Sequence, residues 1–243
     1  MLLPAGFVAI AAGIVVWTDL ALGRATAACG DPPAIARGIR RRFRAGALTW
    51  ILLVLVLAAS GVLGQWEWRP PPFVLVVVSI AVLGAVIARS SIGERLSRGL
   101  PLASLVGLQA FRLPLELLMH QTALAGVMPE QMSYSGRNFD IITGITAVLL
   151  AIWLRAGRAP RSLVVAWNVI GLLLLANIVT VAVLSTPQFA AFGSTPDRIN
   201  TFVTRPPYVL LPAVMVLAAW AGHLVVFRAL ARGAGAGTIA RDS

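Results

Sequence analysis

The sequence predicts an all-α fold, a polytopic transmembrane bundle of about seven helices, and three observations predict it. Hydrophobic residues make up 58% of the 243 and charged residues 12%, against about half and a quarter in soluble domains. Too few charges remain to coat a water-facing surface. The apolar residues fall into long runs, and a helix needs about 20 of them to cross the hydrocarbon. All twenty basic residues are arginine, and they gather between the runs rather than along one polar face. The formal charge of +11 therefore marks membrane topology and does not point to nucleic acid.

Seven runs qualify, near residues 2–22, 45–64, 72–88, 102–127, 139–154, 162–185 and 208–228. The third and fifth are short. No positive charge precedes the first, and Arg24 follows it, so it reads as a retained helix. Ala27-Ala28-Cys29 resembles a lipoprotein cleavage site, but a leader carries its charge before the apolar core. Cys29 is the single cysteine and has no partner for a disulfide within the chain. Breakers separate the runs: Asp31-Pro32-Pro33, Arg69-Pro70-Pro71-Pro72, Pro101, Pro129, Gly157, Pro187 and Pro206-Pro207.

The connections after the first, third and fifth segments, with the tail, hold fifteen arginines, and those after the second, fourth and sixth hold four. The positive-inside bias then places the N-terminus outside and the C-terminus inside, as in a multi-pass protein of a bacterial inner membrane. Trp66 and Trp68 fit an interfacial aromatic belt at the second connection. Residues 1–230 read as one transmembrane domain, and 231–243, where Gly and Ala alternate, as a flexible cytoplasmic tail. Arg69-Pro-Pro-Pro-Phe-Val-Leu75 and Arg205-Pro-Pro-Tyr-Val-Leu210 open the third and seventh segments, with Trp50 and Trp167 near the starts of the second and sixth. That pattern is compatible with a 3+1+3 parallel repeat, or with the habit of proline and aromatics to mark helix entry.

The fourth segment carries a polar stripe inside the membrane. Arg112, Glu116 and His120 recur every four positions, and Gln109 falls within their arc, so the four share one face over roughly 17 Å of helix. An ionised residue near a helix centre costs about 2.5–3.5 kcal/mol on insertion scales, so Arg112 needs a partner. Glu116, one turn on, is the near one. Pro114 removes a backbone donor and can kink the helix, freeing carbonyls around Gln109 and Ala110. Two readings follow. Either the stripe lines a polar pocket or proton path that opens outward, or it is a buried clamp that fixes helix register.

The connection Met128–Asp140 is dense in polar and turn-forming residues. Gly136 is expected to supply a positive-φ turn, and Asn138 or Asp140 to cap the fifth segment. Arg137, Asn138 and Asp140 would rim the pocket above His120. Gly144, with Thr143, Thr146 and Ala147, gives the fifth segment a small face for close packing. Asn168 and Asn177 lie nine apart, on opposite faces of the sixth.

Phe111-Arg-Leu-Pro114-Leu-Glu116-Leu-Leu-Met-His120, followed by Met132-Ser-Tyr-Ser-Gly136-Arg-Asn-Phe-Asp140-Ile-Ile-Thr-Gly144-Ile-Thr-Ala147, resembles a pattern in an uncharacterised family of bacterial multi-pass membrane proteins. The resemblance covers roughly 35 residues and implies where to look, without implying a chemistry.

Other chemistries lack their residues. His120 and His223, the only histidines, would sit at different depths, too far apart for one haem. Three or four zinc ligands are not grouped anywhere. No phosphate loop or serine-nucleophile motif stands out, and without lysine there is no Schiff base. The expected activity is binding or transport of a small anionic or polar solute, or of a proton. Gln109, Arg112, Glu116, His120, Arg137, Asn138 and Asp140 are its candidate contacts, with no cofactor and no metal. The lipid bilayer is the certain partner. The alternatives are a non-transporting subunit or sensor docked to a membrane-protein partner, and a lipid-modifying enzyme using Glu116 and His120 as acid and base.

Overall fold

Proline punctuates this chain, and the helices start where it permits. A computed structural model describes residues 2–239, with side chains as far as Arg232. Its helices are α1 (Leu2–Ala28), α2 (Pro33–Ala59), α3 (Pro72–Arg89), α4 (Ser91–Gly99), α5 (Leu102–Leu108), α6 (Arg112–Leu124), α7 (Ile141–Arg155), α8 (Arg161–Leu184) and α9 (Leu217–Ile239), and the described residues hold no strand. Pro33 and Pro72 open α2 and α3, where the missing N–H costs nothing.

Six helical stretches are long and apolar enough to cross a membrane: Leu2–Ala28, Pro33–Ala59, Pro72–Arg89, Leu102–Leu124, Arg161–Leu184 and Leu211–Arg232. The fifth predicted segment forms only the 15 residues of α7, about 22 Å of helix. The missing length has a cause. Residues 125–140 run back beside α6 without becoming a long helix, burying Met128, Met132, Ser133 and Asn138 on the way, so α7 starts level with the middle of the bundle.

Of the arginines expected in a connection after the first segment, Arg24 lies in α1 and the other five begin α2, which starts at Pro33, twelve positions before the predicted edge. Arginine is a good helix former, and these side chains have partners. Asp19 accepts from Arg40 at 2.6 Å and Arg44 at 2.7 Å. Asp31 meets Arg95 at 3.0 Å, and Glu94 faces Arg98, Arg228 and Arg232 at 3.5–3.8 Å. Four helices, α1, α2, α4 and α9, are thus tied together at one end, called here the arginine end. The opposite end carries loops 125–140 and 185–205.

α9 is the central rod, packed on α3, α4, α5 and α8. A π-helical stretch, Leu211–Val216, leads into it from Pro212. A 3₁₀ step, Gln109–Phe111, joins α5 to α6 and includes Ala110, four residues before Pro114, where the ring denies a backbone bond. The expected distortion is present at the expected place. Helix α9 continues through the glycine-alternating stretch to Ile239; residues 240–243 of the predicted tail lie outside the described residues.

Candidate functional site: a buried guanidinium beside an apolar cavity

Arg112 is 1% exposed, and the sequence-local partner does not hold it. The expected Arg112–Glu116 pair is not formed. Arg112 Nη1 donates to Asp140 Oδ1 at 2.9 Å and more weakly to the Gly171 carbonyl at 3.5 Å. Glu116 Oε2 accepts instead from Asn138 Nδ2 at 2.7 Å. The returning loop carries a carboxylate and an amide to the depth of the stripe. A partner approaching across the bundle then displaces one on the same helix.

The loop is built to present these groups. Asn138 Nδ2 also donates to the Met132 carbonyl at 3.1 Å, and its Oδ1 accepts from the Asp140 backbone N–H at 3.0 Å. Asp140 occupies the N-cap position of α7 without a side-chain capping bond. Its carboxylate is turned to Arg112, with Thr143 Oγ1 donating to it at 3.2 Å. Gly136 is not at positive φ, contrary to expectation. It is needed for room, since a Cβ there would lie 2.4 Å from the Glu130 carbonyl oxygen. Gly144 plays the packing role expected of it: a Cβ would come within 2.5 Å of the Leu113 nitrogen.

A cavity of about 290 Å³ adjoins the charged group. Phe73 and Val77 of α3, Leu115 of α6, Val179 of α8, Met215 of the π stretch and Trp220 of α9 are among its walls. Its polar contributors are Arg112, Glu116, Asp140 and Asn200. Arg112 Nε and Nη2 have no partner although both are buried, and neither does Asn200 Oδ1. Nη1 is engaged with protein; the edge formed by Nε–H and Nη2–H is free. That edge is the one a guanidinium offers to a carboxylate or phosphate in two parallel bonds.

The remaining predicted residues separate from this centre. Gln109 is buried, donates to the Ala219 carbonyl at 3.1 Å and does not line the cavity. His120 stacks on Tyr134 with ring centroids 4.4 Å apart and meets Ser135 Oγ at 3.2 Å. Arg137 lies over the Phe192 ring at 5.0 Å, and its carbonyl accepts from Asn177 at 2.8 Å. Sequence reasoning missed Asn200, and it missed the buried pair in which His223 Nδ1 meets Asn168 Oδ1 at 2.7 Å while Asn168 Nδ2 bonds the His223 carbonyl. Polar residues within apolar segments were the signal for that pair.

The family model of a domain of unknown function, DUF8737, matches residues 71–231. The chain belongs to this family. The matched stretch holds every residue that lines the cavity, the returning loop and the whole of the Arg112–Asp140 arrangement, and leaves out α1 and α2. Comparison with curated proteins and with solved structures gave no match.

Proposed function

We propose that this membrane protein binds a small solute with an anionic group in the cavity beside Arg112, and takes up one proton as it does so, as a step in moving the solute across the bilayer. The observation that carries the reading is a fully buried guanidinium, counted among the residues that line the cavity, whose Nε and Nη2 have no protein partner. Buried polar groups are ordinarily satisfied, and ionisable groups inside a membrane bundle ordinarily serve a substrate or ion path.

Charge counting supplies the proton. One guanidinium already faces two carboxylates, Asp140 and Glu116. An arriving anion would add a third negative charge in an apolar surround, where uncompensated charge is costly. Asp140 is paired with Arg112, so Glu116, held by a neutral amide alone, is the group to accept a proton. Among the described residues no hydrogen bond or ion pair joins Glu116 to a further ionisable side chain: His120, one turn on, is engaged with Tyr134 and Ser135, and in α1 the nearest are Asp19 and Arg24, near the arginine end.

The test uses Val179→Cys, a cavity position on α8, in a Cys29→Ala background. In a panel of carboxylates and phosphates, water-soluble and lipid-like, at least one should protect this thiol from maleimide, more strongly as pH falls and less as it rises. Glu116→Gln should flatten that pH dependence. Arg112→Lys, which keeps the charge for Asp140 but lacks the planar fork, should remove the protection. Labelling that no anion slows at any pH would sink the reading.

A further inference from the structure

We infer that the solute is a single-chain amphiphile with a carboxylate or phosphate head, taken from the bilayer through the gap between α3 and α8. This rests on the anion-binding reading above and narrows it to a substrate class. Apart from Arg112, Glu116, Asp140 and Asn200, the lining is hydrocarbon, aromatic or methionine. A small hydrophilic anion would surrender its hydration to such walls and gain one guanidinium edge. An apolar chain attached to the same head would gain about 25 cal/mol for each Å² it buries.

The shape agrees. The cavity follows α3 from Phe73 to Ala81 and α8 from Leu172 to Val183, roughly 12–16 Å of helix at 1.5 Å per residue. Arg112 lies toward the middle of the bundle, so a head placed there leaves a tail running toward the loop end. The cavity's volume of about 290 Å³, spread over that length, suits one chain.

The route is lateral. Loops 125–140 and 185–205 are stitched over the loop end, with Gln131 Nε2 donating to the Arg198 carbonyl at 2.7 Å and to Ser185 Oγ at 3.1 Å. α3 and α8, by contrast, pack on α9 and do not form an interface with each other. Ala81 of α3 and Ala176 of α8 both line the cavity and are exposed, flanked by exposed Val78, Val82 and Leu173. In a bilayer such surfaces face acyl chains; the two alanines keep the rim of the gap low, and the Trp220 indole, whose Nε1 donates to the Ala81 carbonyl at 3.0 Å, stands beside it.

The experiment follows quenching of tryptophan fluorescence by 9,10-dibromostearate, with the protein in dodecyl maltoside. Trp220 lines the cavity, so quenching should be saturable, and Trp220→Phe should remove most of its amplitude. Oleate and 1-oleoyl lysophosphatidate should each compete; the tighter of the two identifies the head. Methyl oleate, acetate and inorganic phosphate should not compete. Arg112→Lys should weaken binding by about tenfold or more, as expected for losing a bidentate contact. Ala176→Trp, which leaves every charged group in place, should weaken it similarly by blocking the gap, and decides the matter if Arg112→Lys fails to fold. Equal competition by methyl oleate, or unchanged affinity in Ala176→Trp, overturns the proposal. If acetate or phosphate protects the thiol at position 179 and oleate does not, the amphiphile is wrong and the anion pocket stands. If no anion binds in either assay, both fall together.

Discussion

Arg112 is held by a carboxylate 28 positions further along the chain, and that fact ranks the neighbouring substitutions. Asp140→Asn breaks the ion pair that holds the buried guanidinium, which costs about 3–5 kcal/mol. Glu116→Gln keeps an acceptor for Asn138 and removes no ion pair, so its cost is about 1 kcal/mol. Thermal unfolding of the two purified variants in detergent checks the order, and a larger loss for Glu116→Gln would show that Arg112 depends on its helical neighbour after all. The stripe itself was legible, because charges four apart in an apolar run can only share a buried face. The true partner was not. A loop residue carries no periodicity, and nothing local in Arg137-Asn138-Phe139-Asp140 says that two of the polar side chains turn inward while Arg137 turns out.

Helix segments were readable from length and hydropathy because lipid demands both, and the step at Gln109–Phe111 was readable from Pro114. The element that escaped is the returning loop 125–140. Its glycines, serines and acids look like a solvent-exposed connection, yet Met132, Ser133 and Asn138 are buried. Irregular backbone at membrane depth survives only where protein or a cavity satisfies it, and here Asn138 does much of that by bonding two backbone groups, the Met132 carbonyl and the Asp140 N–H. Hydrogen exchange should therefore find amides 131–140 protected nearly as well as those of α6. Gly136→Ala, pressing a methyl against the Glu130 carbonyl, should cost about 1–3 kcal/mol and raise exchange in this loop before any helix responds. Uniformly fast exchange in the wild-type loop would contradict its burial.

Across the whole molecule the charge is polarised. Asp19, Asp31 and Glu94 each sit among arginines at one end, and the loops that cover the cavity occupy the other. On the positive-inside bias the arginine end would face the cytoplasm, where an anionic leaflet would add about 1 kcal/mol of attraction for each arginine near its surface. The cavity would then lie in the outer half of the bundle, and an amphiphile reaching Arg112 would come from the outer leaflet. Two thiols decide it. Native Cys29 lies at the arginine end and is half-buried; Ser194→Cys, made in a Cys29→Ala background, lies in the exposed part of loop 185–205. In intact cells a membrane-impermeant maleimide should label position 194 and spare Cys29 until the membrane is opened. The reverse pattern would invert the chain, place the arginines outside and move the proposed source of the solute to the inner leaflet, without altering the geometry at Arg112.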